Sequence, residues 1–290
     1  MTNSAITLAQ PKPTRAVQPR AWRSLALGAA VTLAAAPAFA AGALATGGND
    51  GGSVVDIARD MGAQLWTVQT EGGEAGEAGL IEGATDDAAY LAQLTIVEGH
   101  LIAAAVLFAN GQKDEAIELS HHPEAEMMDD MRAQLAIHKA ADFTPLMKAF
   151  SDAMESGAPI DAVNTALADF RSSVALAKAD EAAELKARVE ALVVVVKAAA
   201  EEYAGSIEGD VVTNVMAFHE AHAFLTLARE EAAALQSQEL TKAASGRILE
   251  ALVASDEAFG DLAATQPVAQ DPAILHAVAA RVELIGASVR

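Results

Sequence analysis

The pattern of apolar and polar positions after residue 86 is typical of α-helices joined by short breaks. Apolar residues recur three and four positions apart in segments rich in Ala, Leu, Val, Glu and Lys, the spacing that places them on one helix face. Gly, Asn, Ser and Pro separate these segments. The predicted helices cover residues 86–109, 112–119, 123–140, 143–155, 160–177, 180–204, 209–236, 240–261 and 271–289. Because no segment shows sustained strand alternation, the sequence predicts an all-α helical bundle.

A short internal match bears on how this bundle is organised. Glu98-Gly99-His100 in one apolar helix has a counterpart, Glu220-Ala221-His222, in another. One interpretation is an internal duplication with two similar up-down helical halves, residues 86–155 and 160–290. The other is that so short a match arose by chance.

Residues 1–40 have the pattern of a cleaved secretory signal peptide. They contain no acid and end in the small-residue motif Ala38-Phe39-Ala40. Their apolar run is about a dozen residues long, whereas a membrane-spanning helix needs roughly 20. We therefore expect a periplasmic protein with no membrane span after cleavage. The basic residues of this segment are Lys12, Arg15, Arg20 and Arg23.

Residues 41–85 are predicted to be a Gly-rich spacer, a short apolar segment and an acidic loop. Glycine is too unfavourable inside helices for the loop to be helical. Its carboxylates Glu71, Glu74 and Glu77 recur every third residue. They either bind a hard cation or form a solvated loop.

Composition limits the chemistry and the partners. The chain has 40 acidic and 19 basic residues, a net charge of −21, and no cysteine. Such a charge repels nucleic acid and concentrates cations near the surface. Without thiolates, a metal ion would need His, carboxylate, Met or backbone oxygen ligands. Charged residues from Lys178 to Glu190 recur at helical spacing and predict a solvated helix face.

The first predicted helix contains two polar residues that need partners. Between residues 94 and 108 it is apolar nearly all round, apart from Thr95, Glu98 and His100. A helix apolar on every side is buried, and a buried carboxylate must be paired, protonated or bound to a cation. Glu98 and His100 point about 200° apart around the helix, so each needs a partner from another segment.

A turn at Asn110-Gly111 would return the chain antiparallel and bring His121 or His122 near His100. Glu124 or Glu126 would join them. The alternative is that Ser120 or His122 caps a new helix beginning at Pro123, whose dipole the two Glu residues complement.

A second candidate metal site lies in the helix predicted over residues 209–236. Met216, His219 and His222 are spaced three apart, along one side of the helix. A Met, His, His set suits copper, and the two His with Glu220 would suit zinc or iron. The alternative is that Met216 is a core residue and both His are partly exposed.

One segment carries a family resemblance. A Tyr is followed by an aliphatic residue, Gly, an aliphatic residue, Asn, an aromatic residue and Glu, at Tyr203, Ile207, Gly209, Val211, Asn214, Phe218 and Glu220. This order resembles a segment of the periplasmic helical domains that precede some bacterial iron permeases, although Phe218 replaces the usual Tyr. The resemblance implies an envelope protein concerned with metal uptake and implies no catalytic activity.

Three functions are consistent with these features. The first is a periplasmic metal-binding or metal-delivery protein for iron, copper or zinc, serving an envelope metal transporter or another periplasmic protein. Its candidate ligands are Glu98, His100, His121, His122, Met216, His219, Glu220 and His222. The second is a non-catalytic interaction or scaffold bundle in which buried Glu and His pair with each other. The third, a metal-dependent enzyme, is disfavoured because no recognisable catalytic motif is present.

Overall fold

The computed structural model describes residues 80–81, 84, 86–180, 185–264 and 266–289. The predicted signal peptide, the Gly-rich spacer and the acidic loop with Glu71, Glu74 and Glu77 lie outside these residues. The described residues all belong to one compact unit, Trp66–Arg290. Both predicted halves are therefore within this unit, and the internal duplication stays a prediction.

Helices dominate the described residues, which confirms the predicted all-α helical bundle. The same residues also form two short strands and one 3₁₀ helix. In chain order the elements are α1 Asp86–Ala109, α2 Lys113–Glu126, α3 Met128–Ile137, α4 Thr144–Glu155, α5 Ile160–Asp180, α6 Leu185–Gly205, β1 Ile207–Glu208, β2 Val211–Val212, α7 Val215–Gln236, α8 Lys242–Val253, the 3₁₀ helix Ala254–Ala258 and α9 Ala273–Gly286.

Helix α1 forms the centre of the bundle and packs against α2, α5, α6 and α7. By length and composition it could cross a membrane, but 78% of its most apolar stretch is buried. Burial against other helices on every side accounts for that composition. The polar side chains of α1 consequently meet side chains of the surrounding helices.

The predicted break between Ser120 and Pro123 is wrong, because α2 continues through Pro123 to Glu126. Proline lacks the N–H that would bond four residues back. The helix is held by packing instead, since Pro123 is buried and α2 packs against α1 and α4. The Ser151 hydroxyl of α4 also donates a hydrogen bond of 3.2 Å to the Ser120 carbonyl. The helix ends at Glu126, and α3 begins at Met128. Pro123 therefore does not begin a new helix, and neither Ser120 nor His122 is its cap.

The helix predicted over residues 209–236 begins later, at Val215, because a small hairpin precedes it. Strands β1 and β2 pair antiparallel with Ile207 opposite Val212. Gly209 has φ +64° in the turn between them, a left-handed conformation that glycine adopts readily. Two-residue strands are too short to produce an alternating sequence pattern, so the hairpin was not predicted.

Candidate functional site

Gly99 allows α1 to pack closely against Phe224 of α7. A Cβ atom built on Gly99 would lie 2.3 Å from Cδ1 of Phe224, far inside van der Waals contact. Phe224 is completely buried. Only glycine fits here, and the close packing brings the residues beside Gly99 within reach of α7.

His100 and Glu220 form a buried pair between these two helices. The distance from His100 Nε2 to Glu220 Oε1 is 3.1 Å, and their side chains are 4% and 8% exposed. The other ring nitrogen, Nδ1, lies 2.8 Å from the Ile96 carbonyl oxygen. A carbonyl oxygen only accepts, so Nδ1 carries a proton and donates it. The lone pair of a neutral His100 ring is therefore on Nε2, the atom beside Glu220.

This arrangement requires a positive charge or a proton between Nε2 and the carboxyl group. Burial lowers the pKa of His100 to about 4, against the opposing effect of the hydrogen bond to Ile96. A lone pair on Nε2 and an ionised carboxylate oxygen would repel at 3.1 Å. The contact is favourable when one proton, or one metal ion, lies between the two atoms.

Of the two α2 histidines, His122 interacts electrostatically with His100. A positive charge on His122 further lowers the pKa of His100, an effect that acts only over a short distance. Its side chain is partly exposed. His121, in contrast, points to the surface of α2, where its Nε2 lies 2.7 Å from Glu155 Oε1 and both side chains are about half exposed. The structure thus associates His122, and not His121, with the buried pair.

Glu98 is satisfied by two basic side chains of α5. Arg171 Nε donates to Oε1 at 2.7 Å, and Lys178 Nζ donates to Oε2 at 2.8 Å. Arg171 also bonds Glu230 of α7 through Nη2. Both oxygens of Glu98 are engaged, so this carboxylate is the buried member of an ionic network and separate from the His100–Glu220 pair.

Sequence reasoning missed both partners of Glu98. The prediction that Lys178 lies on a solvated face is wrong, because its side chain is only 25% exposed and binds Glu98. Arg171 is also partly buried, and it binds Glu98 as well. The available signal was the buried carboxylate of α1, which required a cationic partner, but the pattern did not identify the helix that would supply it.

The three α7 residues of the second candidate site differ in their surroundings. His219 is 2% exposed, and its Nε2 has no hydrogen-bond partner among the described residues. Burial, and then the nearby His222, lower its pKa to about 4. His222 is partly exposed and packs edge-on against Phe259, with ring centroids 5.1 Å apart. Met216 is also partly buried and packs against the core.

The residues that resemble the permease-associated segment have clear structural positions. The Tyr203 hydroxyl donates to the Ala258 carbonyl at 2.7 Å and accepts from the Gln270 N–H at 3.0 Å. Asn214 caps α7, accepting a hydrogen bond from the Ala217 N–H. Glu220 is the partner of His100. The segment thus joins α6 to α7 and positions the carboxylate of the buried pair.

Comparisons with protein-family models, with curated proteins and with solved structures find no match to the chain. Within the part of the chain that the structure describes, no three or more His, Asp or Glu side chains are grouped so that they could hold a metal ion. The candidate ligands in direct contact are therefore His100 and Glu220. Of the remaining histidines, His122 is the one that interacts with His100.

Proposed function

We propose that this chain is an exported helical bundle that binds a transition-metal ion between α1 and α7, through His100 Nε2 and Glu220. One observation carries the proposal: a buried nitrogen donor and a buried oxygen donor lie 3.1 Å apart, and the second ring nitrogen is fixed by a backbone carbonyl. Metal-binding histidines usually donate their other ring N–H in this way, which orients the coordinating lone pair.

The separation of the two donor atoms suits a shared ion. Metal–nitrogen and metal–oxygen bonds are both about 2.1 Å, so donors 3.1 Å apart would subtend an angle of about 95° at the metal. That angle is close to the 90° of octahedral coordination. An ion there would also remove the repulsion between the His100 lone pair and the carboxylate.

His122 is the residue we expect to complete the site, with water filling the remaining positions. It is partly exposed on α2, and a positive charge on it lowers the pKa of His100. Imidazole and carboxylate ligands suit iron or zinc, whereas copper(I) favours sulfur ligands. The net charge of −21 would attract cations to the surface. A labile site with few protein ligands fits a protein that passes its ion to an envelope transporter.

A structural bundle without a ligand is the competing function, and the saturated ionic network at Glu98 favours it. In that case His100 and Glu220 share a proton and only fix the packing of α1 against α7. The two functions differ in one measurable property, which is whether a metal ion stabilises the folded chain through His100 and Glu220.

The test is metal analysis of the exported protein, purified without a His tag and without chelator, followed by thermal melting with and without EDTA. We expect about one iron or zinc ion per chain and a melting temperature that falls on chelation, because an ion bound only to the folded state stabilises it. Glu220→Gln and His100→Gln should abolish this difference. The matched control is His121→Gln, which removes a histidine that pairs with Glu155 at the surface.

Two outcomes would assign the pair to the structural bundle. One is a metal-free protein whose melting temperature is unchanged by iron, zinc and copper. The other is metal-dependent stabilisation that persists in both Glu220→Gln and His100→Gln. Loss of metal binding in Met216→Leu or His219→Gln would instead assign the ion to the second candidate site on α7.

A further inference from the structure

One buried nitrogen atom of α7 has no role in the proposed metal site. The side chain of His219 is 2% exposed, and its Nε2 atom has no hydrogen-bond partner among the described residues. A buried polar atom without a partner is costly, and native proteins contain few of them. The Nε2 atom of His219 therefore needs a partner that the surrounding side chains do not supply.

Two further donor groups lie one helical turn to either side of His219. Met216 and His222 are each three residues from it in the sequence. Side chains at this spacing are neighbours on a helix, with Cβ atoms about 5–6 Å apart. The charge of His222 acts on His219 and lowers its pKa. A thioether and two imidazoles thus form one stripe along α7, which we call the Met-His-His stripe.

The two histidines of the Met-His-His stripe face away from the proposed metal site. Around the α7 axis, Glu220 points about 100° from His219 and about 160° from His222. Glu220 contacts His100 of α1, whereas the ring of His222 packs against Phe259, directly after the 3₁₀ helix. The stripe is therefore a second set of donor groups on α7.

The donor types of the stripe select the ion. Zinc is held by three or four His, Cys, Asp or Glu ligands, and the described part of the chain brings no three such side chains together around one point. Thioether sulfur selects copper(I), an ion that is stable with only two or three ligands. Burial lowers the pKa of both histidines, so their rings are neutral at pH 7. A monovalent ion among three neutral ligands leaves less buried charge than a divalent ion would.

From these observations we infer that the Met-His-His stripe binds one copper(I) ion. Its ligands are the thioether sulfur of Met216, the Nε2 atom of His219 and one ring nitrogen of His222. The ion gives the buried Nε2 atom the partner that it lacks. His222 is partly exposed, which gives copper a route from solvent, and the net charge of −21 attracts cations to the surface.

The test measures the copper(I) affinity of the full exported chain without oxygen and with ascorbate as the reductant. Bicinchoninate, a chelator that forms a coloured complex with copper(I), competes with the protein for the ion. We expect each chain to withhold one copper(I) ion from the chelator. Zinc in about tenfold excess should not displace this ion, because zinc gains little from a thioether ligand.

Variants identify the three ligands. Met216→Leu keeps an apolar side chain of similar size and removes the sulfur, so copper(I) affinity should fall at least tenfold while the melting temperature of the metal-free chain changes little. His222→Gln and His219→Gln should also lower the affinity at least tenfold. The matched controls are Met154→Leu, at a buried methionine of α4, and His276→Gln, at an exposed histidine of α9. Both should keep the full affinity.

Three results would overturn the inference. These are complete transfer of copper(I) from the unaltered chain to bicinchoninate, full affinity in Met216→Leu or in His222→Gln, and an equal loss of copper(I) in His100→Gln. Met216→Leu and His222→Gln keep the test decisive if His219→Gln fails to fold, since both positions are only partly buried. Iron or zinc at the proposed site should be lost in His100→Gln and retained in His222→Gln, so failure of one site is distinguishable from failure of the other.

Discussion

Replacing Gly99 by alanine tests whether the close contact between α1 and α7 creates the candidate site. The added Cβ would lie 2.3 Å from Cδ1 and 2.5 Å from Cε1 of Phe224. Phe224 is completely buried. The helices must therefore separate by roughly 1 Å to restore van der Waals contact. His100, the next residue on α1, would be drawn away from Glu220.

Two opposing effects set the expected change in the free energy of unfolding. Overpacking a core costs about 1–3 kcal/mol. The higher helix propensity of alanine offsets at most about 1 kcal/mol of this cost. We expect Gly99→Ala to lower the free energy of unfolding by about 1–2 kcal/mol, which corresponds to a fall in melting temperature of about 2–8 °C for a domain of this size. Metal affinity should fall at least tenfold.

The assay is thermal melting by circular dichroism, with metal titration of each variant. Gly246→Ala is the matched control, because its Cβ would make an ordinary contact of 3.5 Å with Gln236. That change should stabilise the chain through helix propensity alone. Adding Phe224→Leu to Gly99→Ala should recover part of the lost stability. A Gly99→Ala chain that is as stable as Gly246→Ala and retains its metal affinity would show that this contact does not set the distance between His100 and Glu220.

Three further predictions follow from the buried polar groups. Glu98→Gln should lower the free energy of unfolding by about 1–3 kcal/mol, because its two basic partners lose a buried anion. The variant should still bind metal, and loss of the metal would contradict the separation of Glu98 from the His100–Glu220 pair. Tyr203→Phe should lower the free energy of unfolding in urea by about 1–3 kcal/mol, since the Ala258 carbonyl and the Gln270 N–H both lose a hydrogen bond to the phenol. An unchanged urea midpoint would show that these hydrogen bonds do not stabilise the fold. The lowered pKa of His219, about 4 against 6.5, means that the unfolded chain takes up this proton first as pH falls. His219 should therefore contribute a loss of stability of about 1.4 kcal/mol per pH unit between pH 6.5 and 4. His219→Gln should lower the slope measured in melts at stepped pH by this amount and leave the contribution of His100, whose pKa is also lowered to about 4.

The central helix could be predicted closely from the sequence because its signals are local. The predicted limits of residues 86–109 match α1, since an apolar stretch with an acidic first turn and Asn110-Gly111 after it leaves little choice. The requirement that Glu98 and His100 have partners from other segments followed from burial alone. Both have such partners in the structure, at Lys178 and at Glu220.

The identities of those partners depend on tertiary packing, which periodicity does not encode. Lys178 appears in a charged stretch like any solvated helix face, and its partner lies 80 residues away in the chain. The continuation of α2 through Pro123 has the same origin, because Pro123 is buried where α2 packs against other helices. Local rules assign a break to such a proline and cannot include that packing.

Gly99 links the fold to the candidate site more directly than any of the proposed ligands. A glycine inside a helix normally costs about 1 kcal/mol relative to alanine, so its presence in α1 needs a compensating gain. The gain is the space that the missing Cβ leaves for the Phe224 ring. This space lets α7 approach closely enough for Glu220 to reach His100. A bundle that needed only a stable core could fill this position with alanine and a smaller partner ring. Gly99 and Phe224 therefore set the distance between His100 and Glu220 on which the proposed metal site depends.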